Sequence, residues 1–290
     1  MRKFQKFLTM LGAVSLLIIF FSLIRFFFST GIPSHKGIAI LRVKGVITET
    51  DYYIKELEKL SKNKNVKAIV LRVDSPGGAV VPCQELYDEI LRVKKKKPIV
   101  VSMGSVAASG GLYISVAANK IVADPATITG SIGVIMQTMN FRKLADKIGI
   151  KVVTIKSGPH KDLLNPFKKV DPGDVAIVQN VINDTYQQFL EVVSKGRHIP
   201  IDKLKPIADG RIFSGREAQK LGLVDELGDL HKAVSVARKL AHSPDAKPFE
   251  VKKEQPFIDK ILGGQASIFF DKISSILKGE IEKKNLMYLY

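Results

Sequence analysis

The fold is decided by the stretch S-M-G-S-V-A-A-S-G-G-L-Y at residues 102–113. It follows the apolar run 98–101, which is typical of a buried parallel strand, and it leads into a small-residue segment at 110–118 that predicts a helix. A serine in this turn has little bulk around its hydroxyl, so the turn exposes Oγ and aims the next backbone N–H groups at an incoming oxyanion. Ser109 is therefore the candidate nucleophile, although a small-residue helix packed tightly on a sheet fits the same residues.

Strand and helix patterns alternate around this stretch, which predicts an α/β fold with a parallel sheet and right-handed crossovers. A polar, proline-bearing segment at 244–256 reads as a linker or tail. The predicted strands are 37–43, 66–73, 98–103, 120–123 and 151–155, and the predicted helices are 52–60, 80–93, 142–148, 174–195 and 229–241.

A second glycine-rich turn, D-S-P-G-G at residues 74–78, ends the strand before the one that carries Ser109. The carboxyl ends of parallel strands meet at one edge of a sheet, where ligands bind in open α/β folds. The backbone N–H groups of Gly78 and Gly110 are therefore expected to lie together and form an oxyanion hole. An ordinary turn is the alternative interpretation of Gly77 and Gly78.

A serine nucleophile needs a general base. His160 is the one histidine in a plausible loop, and a lysine can serve instead if burial lowers the pKa of its ammonium group. Lys156 and Lys161 both lie in that loop, and spacing alone does not choose between them.

Composition excludes several classes of protein. Of 290 residues, 46% are hydrophobic, so the chain is not disordered. Cys83 is the single cysteine, which rules out an intramolecular disulfide and a cysteine-based zinc site. The five histidines show no H-E-x-x-H spacing, and no metal site is expected. The net charge of +17 indicates anionic lipid rather than nucleic acid, because the lysines are dispersed and no aromatic-basic motif occurs.

The N-terminal residues 1–30 predict an uncleaved signal anchor. A basic tail precedes the almost wholly apolar run 7–24, which is long enough to span a bilayer, and no A-x-A cleavage site follows it. Residues 31–36 read as a linker. The expected arrangement is a single-pass protein of the cell (inner) membrane with its main domain outside the cytoplasm, although the positive-inside bias is weak.

Five motifs, in order, make the chain resemble the short, single-repeat members of the signal peptide peptidase A (protease IV) family. They are D-S-P-G-G at 74–78, S-V-A-A-S-G-G-L-Y at 105–113, T-G-S-I-G-V at 129–134, K-S-G-P-H-K-D at 156–162 and G-R-I-F-S-G-R-E-A-Q-K-L-G-L-V-D-E-L-G at 210–228. The resemblance covers roughly residues 37–241. Leu112 departs from it, because an aromatic residue is common at that position.

The resemblance implies a membrane serine endopeptidase with a Ser/Lys dyad and no cofactor. Carried over by position, Ser109 is the nucleophile, Lys161 the general base and Ser131 the residue that orients the lysine, with oxyanion N–H groups from Gly78 and Gly110. The implied substrates are cleaved signal peptides and other apolar peptides. The rival interpretations are an acyl-CoA hydratase or isomerase on the same fold and a non-catalytic membrane scaffold.

The resemblance also implies an architecture. The family fold resembles the Clp protease and crotonase superfamily of repeated β-β-α units, whose members assemble as rings or domes. A single-repeat chain is then expected to form a homo-oligomer, an octamer in this family, with Ser109 and Lys161 supplied by adjacent protomers. The catalytic domain is assigned to residues 37–242 and a C-terminal tail with an amphipathic helix to 243–290. The apolar end at 286–290 is a candidate to occupy a neighbouring substrate groove.

Overall fold

The computed structural model describes residues 36–252, together with residues 12, 14–17, 20 and 287–288. The strands are β1 Gly37–Lys44, β2 Val66–Ser75, β3 Gly78–Ala79, β4 Ile99–Ala108, β5 Lys120–Ala123, β6 Ile128–Gly130, β7 Ile212–Ser214, β8 Glu226–Leu227, β9 Lys247–Glu250 and β10 Met287–Tyr288. The helices are α1 Asp51–Lys62, α2 Val80–Lys94, α3 Gly110–Ser115, α4 Arg142–Lys147, α5 Pro172–Arg197, α6 Ile201–Leu204, α7 Gly215–Lys220 and α8 Leu230–Leu240, with a 3-10 turn at Lys205–Ile207.

Within the described residues, eight of the strands form one sheet in the order β7-β6-β4-β2-β1-β9, with β5 pairing to β4 and β8 pairing to β5. All of these pairs are parallel except β6 with β7. Strand β4 has two neighbours on one side, since residues 100–102 pair with β5 and residues 106–108 pair with β6. The carboxyl end of β4 is therefore enclosed between β2 and β6, and Ser109 follows directly from it.

The sheet is buried on both faces, as parallel sheets require. One face packs beneath α1, α2, α3 and α5 around a large cluster that includes Leu71, Val101 and Phe189. The other face packs beneath α8 around a smaller cluster that includes Val70, Val100 and Ala237. The predicted α/β architecture with a parallel-rich sheet is confirmed.

The long helix α5 has sequence-encoded ends. The Asp171 side chain caps its start by accepting hydrogen bonds from the amides of Gly173 and Asp174, and Pro172 occupies the first turn. His198 ends it in the left-handed conformation, after Lys195 and Arg197 in the last turn. One side of this helix is buried at Phe189, Leu190 and Val193, which fixes it to the core.

Two predictions at the level of elements were wrong. The strand predicted at 151–155 is absent, because the β-branched side chains there have no sheet to enter and Val153 and Ile155 are 83% and 97% exposed. The segment 244–256 is not wholly a linker, because β9 within it pairs with the outer edge of β1.

The anchor prediction at 1–30 falls almost entirely outside the described residues. Positions 12, 14–17 and 20 are helical. In the part of the chain that the structure describes, we find no helix that combines the length and the apolar character of a membrane span.

Candidate active site

Ser109 occupies a strained turn between β4 and α3. Its backbone has φ 51° and ψ −117°, a region that a residue with a Cβ atom rarely adopts. The prediction that the turn exposes Oγ was wrong, because the residue is fully buried. Its Oγ is the one buried side-chain nitrogen or oxygen in the described residues that lacks a hydrogen-bond partner. Because both strain and an unmade hydrogen bond cost free energy, this turn is held by its surroundings rather than by its own preference.

A second serine lies beside the first. Ala108 and Gly130 are paired residues of the parallel strands β4 and β6, so the residues that follow them, Ser109 and Ser131, are neighbours. The Ser109 amide donates to the Gly130 carbonyl at 2.8 Å, and the Ser131 amide donates to the Arg211 carbonyl at 2.8 Å. Ser131 also has a positive φ of 51° and is buried. The structure thus brings the two predicted serines together at one sheet edge.

The two glycines predicted to supply oxyanion N–H groups are also in contact. A Cβ atom built on Gly110 would lie 3.0 Å from the Gly78 nitrogen and 2.6 Å from Cys83 Sγ. One built on Gly78 would lie 2.0 Å from the Ile47 carbonyl oxygen. Only glycine fits at either position without moving backbone or buried side-chain atoms. The backbones of Gly78 and Gly110 therefore meet next to Ser109.

Asp74, for which the sequence predicts no role, shapes the strand that carries Ser109. The register of β2 and β4 runs from Val73 opposite Met103 to Ser75 opposite Ala107, so β4 bulges between these pairs. Asp74 Oδ1 accepts a hydrogen bond from the Val106 amide at 3.1 Å, within the bulge. A bulge re-aims a strand next to a site, and no local sequence pattern signals this one, because it depends on the register of β2 against β4.

The only thiol of the chain lies beneath the glycine contact. Cys83 is fully buried, and this burial raises the pKa of its thiol to about 12. A thiol held in its neutral form is a poor nucleophile. The residue therefore serves packing rather than the chemistry of the site.

The three candidate bases differ in what they contact. Lys156 Nζ lies 2.5 Å from Asp162 Oδ1 and donates to the Pro159 carbonyl at 2.6 Å. His160 Nδ1 lies 2.8 Å from Asp174 Oδ1. Lys161 is exposed, and its side chain makes no hydrogen bond or ion pair among the described residues.

Strand β3, which lies outside the eight-stranded sheet, pairs with an extended segment of the chain. Ile47 forms a parallel bridge with Gly78 on one side. On the other side, β10 pairs antiparallel with β3, placing Tyr288 opposite Gly78 and Met287 opposite Ala79. The backbone next to Ser109 is thus able to add a peptide strand by main-chain hydrogen bonds.

The described residues contain no group of three or more His, Cys, Asp or Glu side chains arranged to hold a metal ion. The site consists of a serine turn, two glycine backbones and a second serine. The loop that carries Lys161 exposes that side chain to solvent.

Comparisons with known proteins identify the family. Residues 92–243 match the model of peptidase family S49. The chain is 38% identical over 238 residues to a candidate protease of Synechocystis sp., covering 81% of this chain and 86% of that protein. It is 36% identical to a candidate signal peptide peptidase SppA of Enterococcus faecium, covering 76% of this chain and 68% of the relative.

A longer relative is also similar. The chain is 36% identical to Protease 4 of Haemophilus influenzae, covering 71% of this chain and 35% of that protein. The family match, the relatives and the resemblance of the five motifs agree. The chain therefore belongs to peptidase family S49.

Proposed function

We propose that the chain is a serine endopeptidase in which Ser109 is the nucleophile. The observation that carries the proposal is the unpartnered Oγ of Ser109 in a strained, fully buried turn. A native protein keeps such a costly arrangement where the group is used in chemistry. The neighbouring amides of Gly78 and Gly110 are suited to receive the negative charge that develops on a carbonyl oxygen.

The general base in this proposal is the amine of Lys161, in a site that a second copy would cover. It takes the Ser109 proton as Oγ attacks the peptide carbonyl, and the tetrahedral oxyanion is stabilised by the Gly78 and Gly110 amides. The protonated lysine then gives its proton to the leaving amine as the C–N bond breaks. Water attacks the acyl ester, losing a proton to the lysine, and Ser109 is restored. Ser131 acts in this scheme by orienting the lysine.

We further propose that Ser109 and Lys161 come from adjacent copies in a homo-oligomer. Among the described residues, Ser109 Oγ has no hydrogen-bond partner and the Lys161 amine makes no hydrogen bond or ion pair. The lysine loop is also flanked by exposed apolar side chains, which include Leu144, Ile148, Val153, Ile155 and Phe167 and are here called the apolar flank. A surface of this kind marks a protein contact, and a second copy completes the site. The family resemblance implies eight copies on a Clp protease and crotonase-like scaffold.

The proposed substrates are apolar peptides, among them cleaved signal peptides, bound as an added strand on β3 as β10 is. The Enterococcus relative carries the name signal peptide peptidase. An anchor at residues 1–30 would hold the enzyme at the cell membrane, where such peptides are released, with the catalytic domain outside the cytoplasm. The net charge of +17 favours contact with anionic lipid.

The test combines substitution with active-site labelling. We expect Ser109→Ala and Lys161→Ala each to lower kcat on a fluorogenic apolar peptide by at least about 10³-fold. A fluorophosphonate should add its mass to Ser109 in the wild type and not in Ser109→Ala. Because Oγ makes no hydrogen bond, Ser109→Ala should be at least as stable as the wild type. Full peptidase activity in either variant would refute the dyad.

A further inference from the structure

The side chains on both sides of Lys161 make hydrogen bonds and ion pairs, whereas the Lys161 side chain makes none among the described residues. On one side, His160 Nδ1 lies 2.8 Å from Asp174 Oδ1. On the other side, Asp162 Oδ1 lies 2.5 Å from Lys156 Nζ and 3.1 Å from Lys168 Nζ. These ion pairs and hydrogen bonds determine where the Lys161 backbone lies.

Both connections end at Asp174. Lys168 Nζ, which binds Asp162, also contacts Asp174 Oδ2. The Asp174 carboxylate therefore binds His160 through Oδ1 and Lys168 through Oδ2. We call the chain of residues Lys156, Asp162, Lys168, Asp174 and His160 the ion-pair ladder. The pairs that Lys156 and Lys168 make with Asp162, and the pair of Lys168 with Asp174, join opposite charges, and His160 adds a hydrogen bond to Asp174.

Asp174 lies in the first turn of helix α5, which packs on the core further along, at Phe189, Leu190 and Val193. It is the third residue of that helix and is only 4% exposed. The hydrogen bonds from Lys168 and then His160 lower the pKa of its carboxyl group. A nearly buried carboxylate needs a cation and hydrogen-bond donors, and here Lys168 supplies the charge and His160 a further hydrogen bond.

The rest of the loop lacks any comparable frame. Residues 149–170 contain no helix or strand, and their other ties include turn hydrogen bonds, the Asn165 to Thr154 side-chain hydrogen bond and the contacts of residues 138–141 with 164–168. A side chain that must meet a serine in another copy has to start from a well-defined backbone position, since a displacement of about 1 Å can cost about 10²-fold in rate.

We propose that Asp174 is a positioning residue for Lys161, acting through His160 on one side and through Lys168 and Asp162 on the other. The proposal rests on the proposed function, because it requires Lys161 to be the base. Asp174 does not touch the substrate. It fixes the backbone position of Lys161 and so the direction in which the Lys161 side chain points toward the neighbouring copy.

The first experiment is Asp174→Asn in the full chain, measured on a fluorogenic apolar peptide. We expect kcat to fall about 10–100-fold with little change in KM, and the rate of fluorophosphonate labelling at Ser109 to fall with it. The matched control is Asp184→Asn, which removes a carboxylate from an exposed position of the same helix and should leave kcat unchanged. Light scattering should show the same assembly in all three proteins.

The second experiment keeps the proposal testable if Asp174→Asn does not fold. Lys168→Met removes the link between Asp162 and Asp174, and Lys168→Arg keeps a cation able to bridge two carboxylates. We expect Lys168→Met to lose kcat and Lys168→Arg to recover most of it. Equal loss in both Lys168 variants, or loss explained by a lower Tm alone, would overturn the proposal.

The outcomes separate the two hypotheses. If Lys161→Ala is inactive while Asp174→Asn and Lys168→Met keep wild-type kcat, the positioning role is wrong and the dyad stands. If Lys161→Ala is itself active, the proposed function has failed and the positioning role fails with it.

Discussion

The two halves of the candidate site are built in opposite ways. The serine half, at the carboxyl ends of β2, β4 and β6, is buried and enclosed by paired strands on both sides. The lysine half, residues 135–170, contains one short helix, α4, and carries the exposed apolar flank. The first half is held by the core of its own protomer, whereas the second is anchored at the ion-pair ladder and otherwise presents its side chains outward. The chain thus buries the proposed nucleophile in its own core and leaves the side chain of the proposed base, Lys161, exposed.

The largest expected effect tests whether the two halves work across copies. Ser109→Ala and Lys161→Ala should each be inactive alone, and co-assembly of the two should restore about a quarter of wild-type activity if each site pairs a serine with a neighbour's lysine. The measurement is peptide turnover by oligomers that mass spectrometry shows to contain both variants. Mixing Ser109→Ala with the double variant should restore nothing. Mixed oligomers without activity would place both groups in one protomer.

The next effect tests the tightness of the serine half. In Gly110→Ala the new Cβ atom would meet Cys83 Sγ at 2.6 Å and the Gly78 nitrogen at 3.0 Å, forcing the two amides apart. We expect a loss of at least about 10²-fold in kcat and a lower Tm. In Gly158→Ala, in the lysine half, the new atom has nothing within 4 Å and Tm should not change. Equal Tm values for the two variants would contradict the claim that the serine half is packed more tightly than the lysine half.

A smaller effect tests the apolar flank. Ile155 is 97% exposed, so Ile155→Asp should change the stability of the isolated protomer by less than about 0.5 kcal/mol. The same charge placed in a contact between copies should dissociate the oligomer, lowering its mass in light scattering and its activity together. Ile155→Ala is the control and should retain assembly. An unchanged oligomer in Ile155→Asp would mean that copies meet elsewhere.

The smallest effect concerns pH and the lysine half. Hydrogen bonds from Lys156 and Lys168 lower the pKa of Asp162 to about 2. A depressed folded-state pKa stabilises the protein above the ordinary carboxyl value near 4, and this contribution disappears as pH falls through about 2. The Tm of Asp162→Asn should thus lie less than about 2 °C below wild type at pH 6, with the gap closing near pH 2. A gap that widens in acid would contradict this assignment.

Sequence reasoning was most successful where local pattern and tertiary context agree. The strands at β1, β2 and β5 and the helices α1, α2, α5 and α8 follow from their apolar spacing. The predicted strand ended at 103 because Gly104 and Ser105, the small residues of the bulge, carry no strand signal. Strand β4 in fact continues to Ala108. Strand β9 was missed because it contains Pro248, and only the distant edge of β1 makes it a strand.

The part of the site that was predictable from the sequence is its backbone arrangement. Glycine-rich turns that follow parallel strands predicted that Gly78, Gly110 and Ser109 would lie together, and they do. The choice of Lys161 over Lys156 came from the family resemblance, since spacing treats both alike. The structure adds that Lys156 is engaged with Asp162 while Lys161 is not. The Asp74 contact depends on a register shift, which no local pattern reveals.

The buried Cys83 has a practical consequence for chemical labelling. Because the chain has no other cysteine and this one is shielded and protonated, the native protein offers maleimides and disulfide reagents almost nothing to attack. A cysteine placed on the surface becomes the sole addressable handle. Spin labels, fluorophores or cross-linkers can then report distances between copies without any background mutation to remove a competing sulfur.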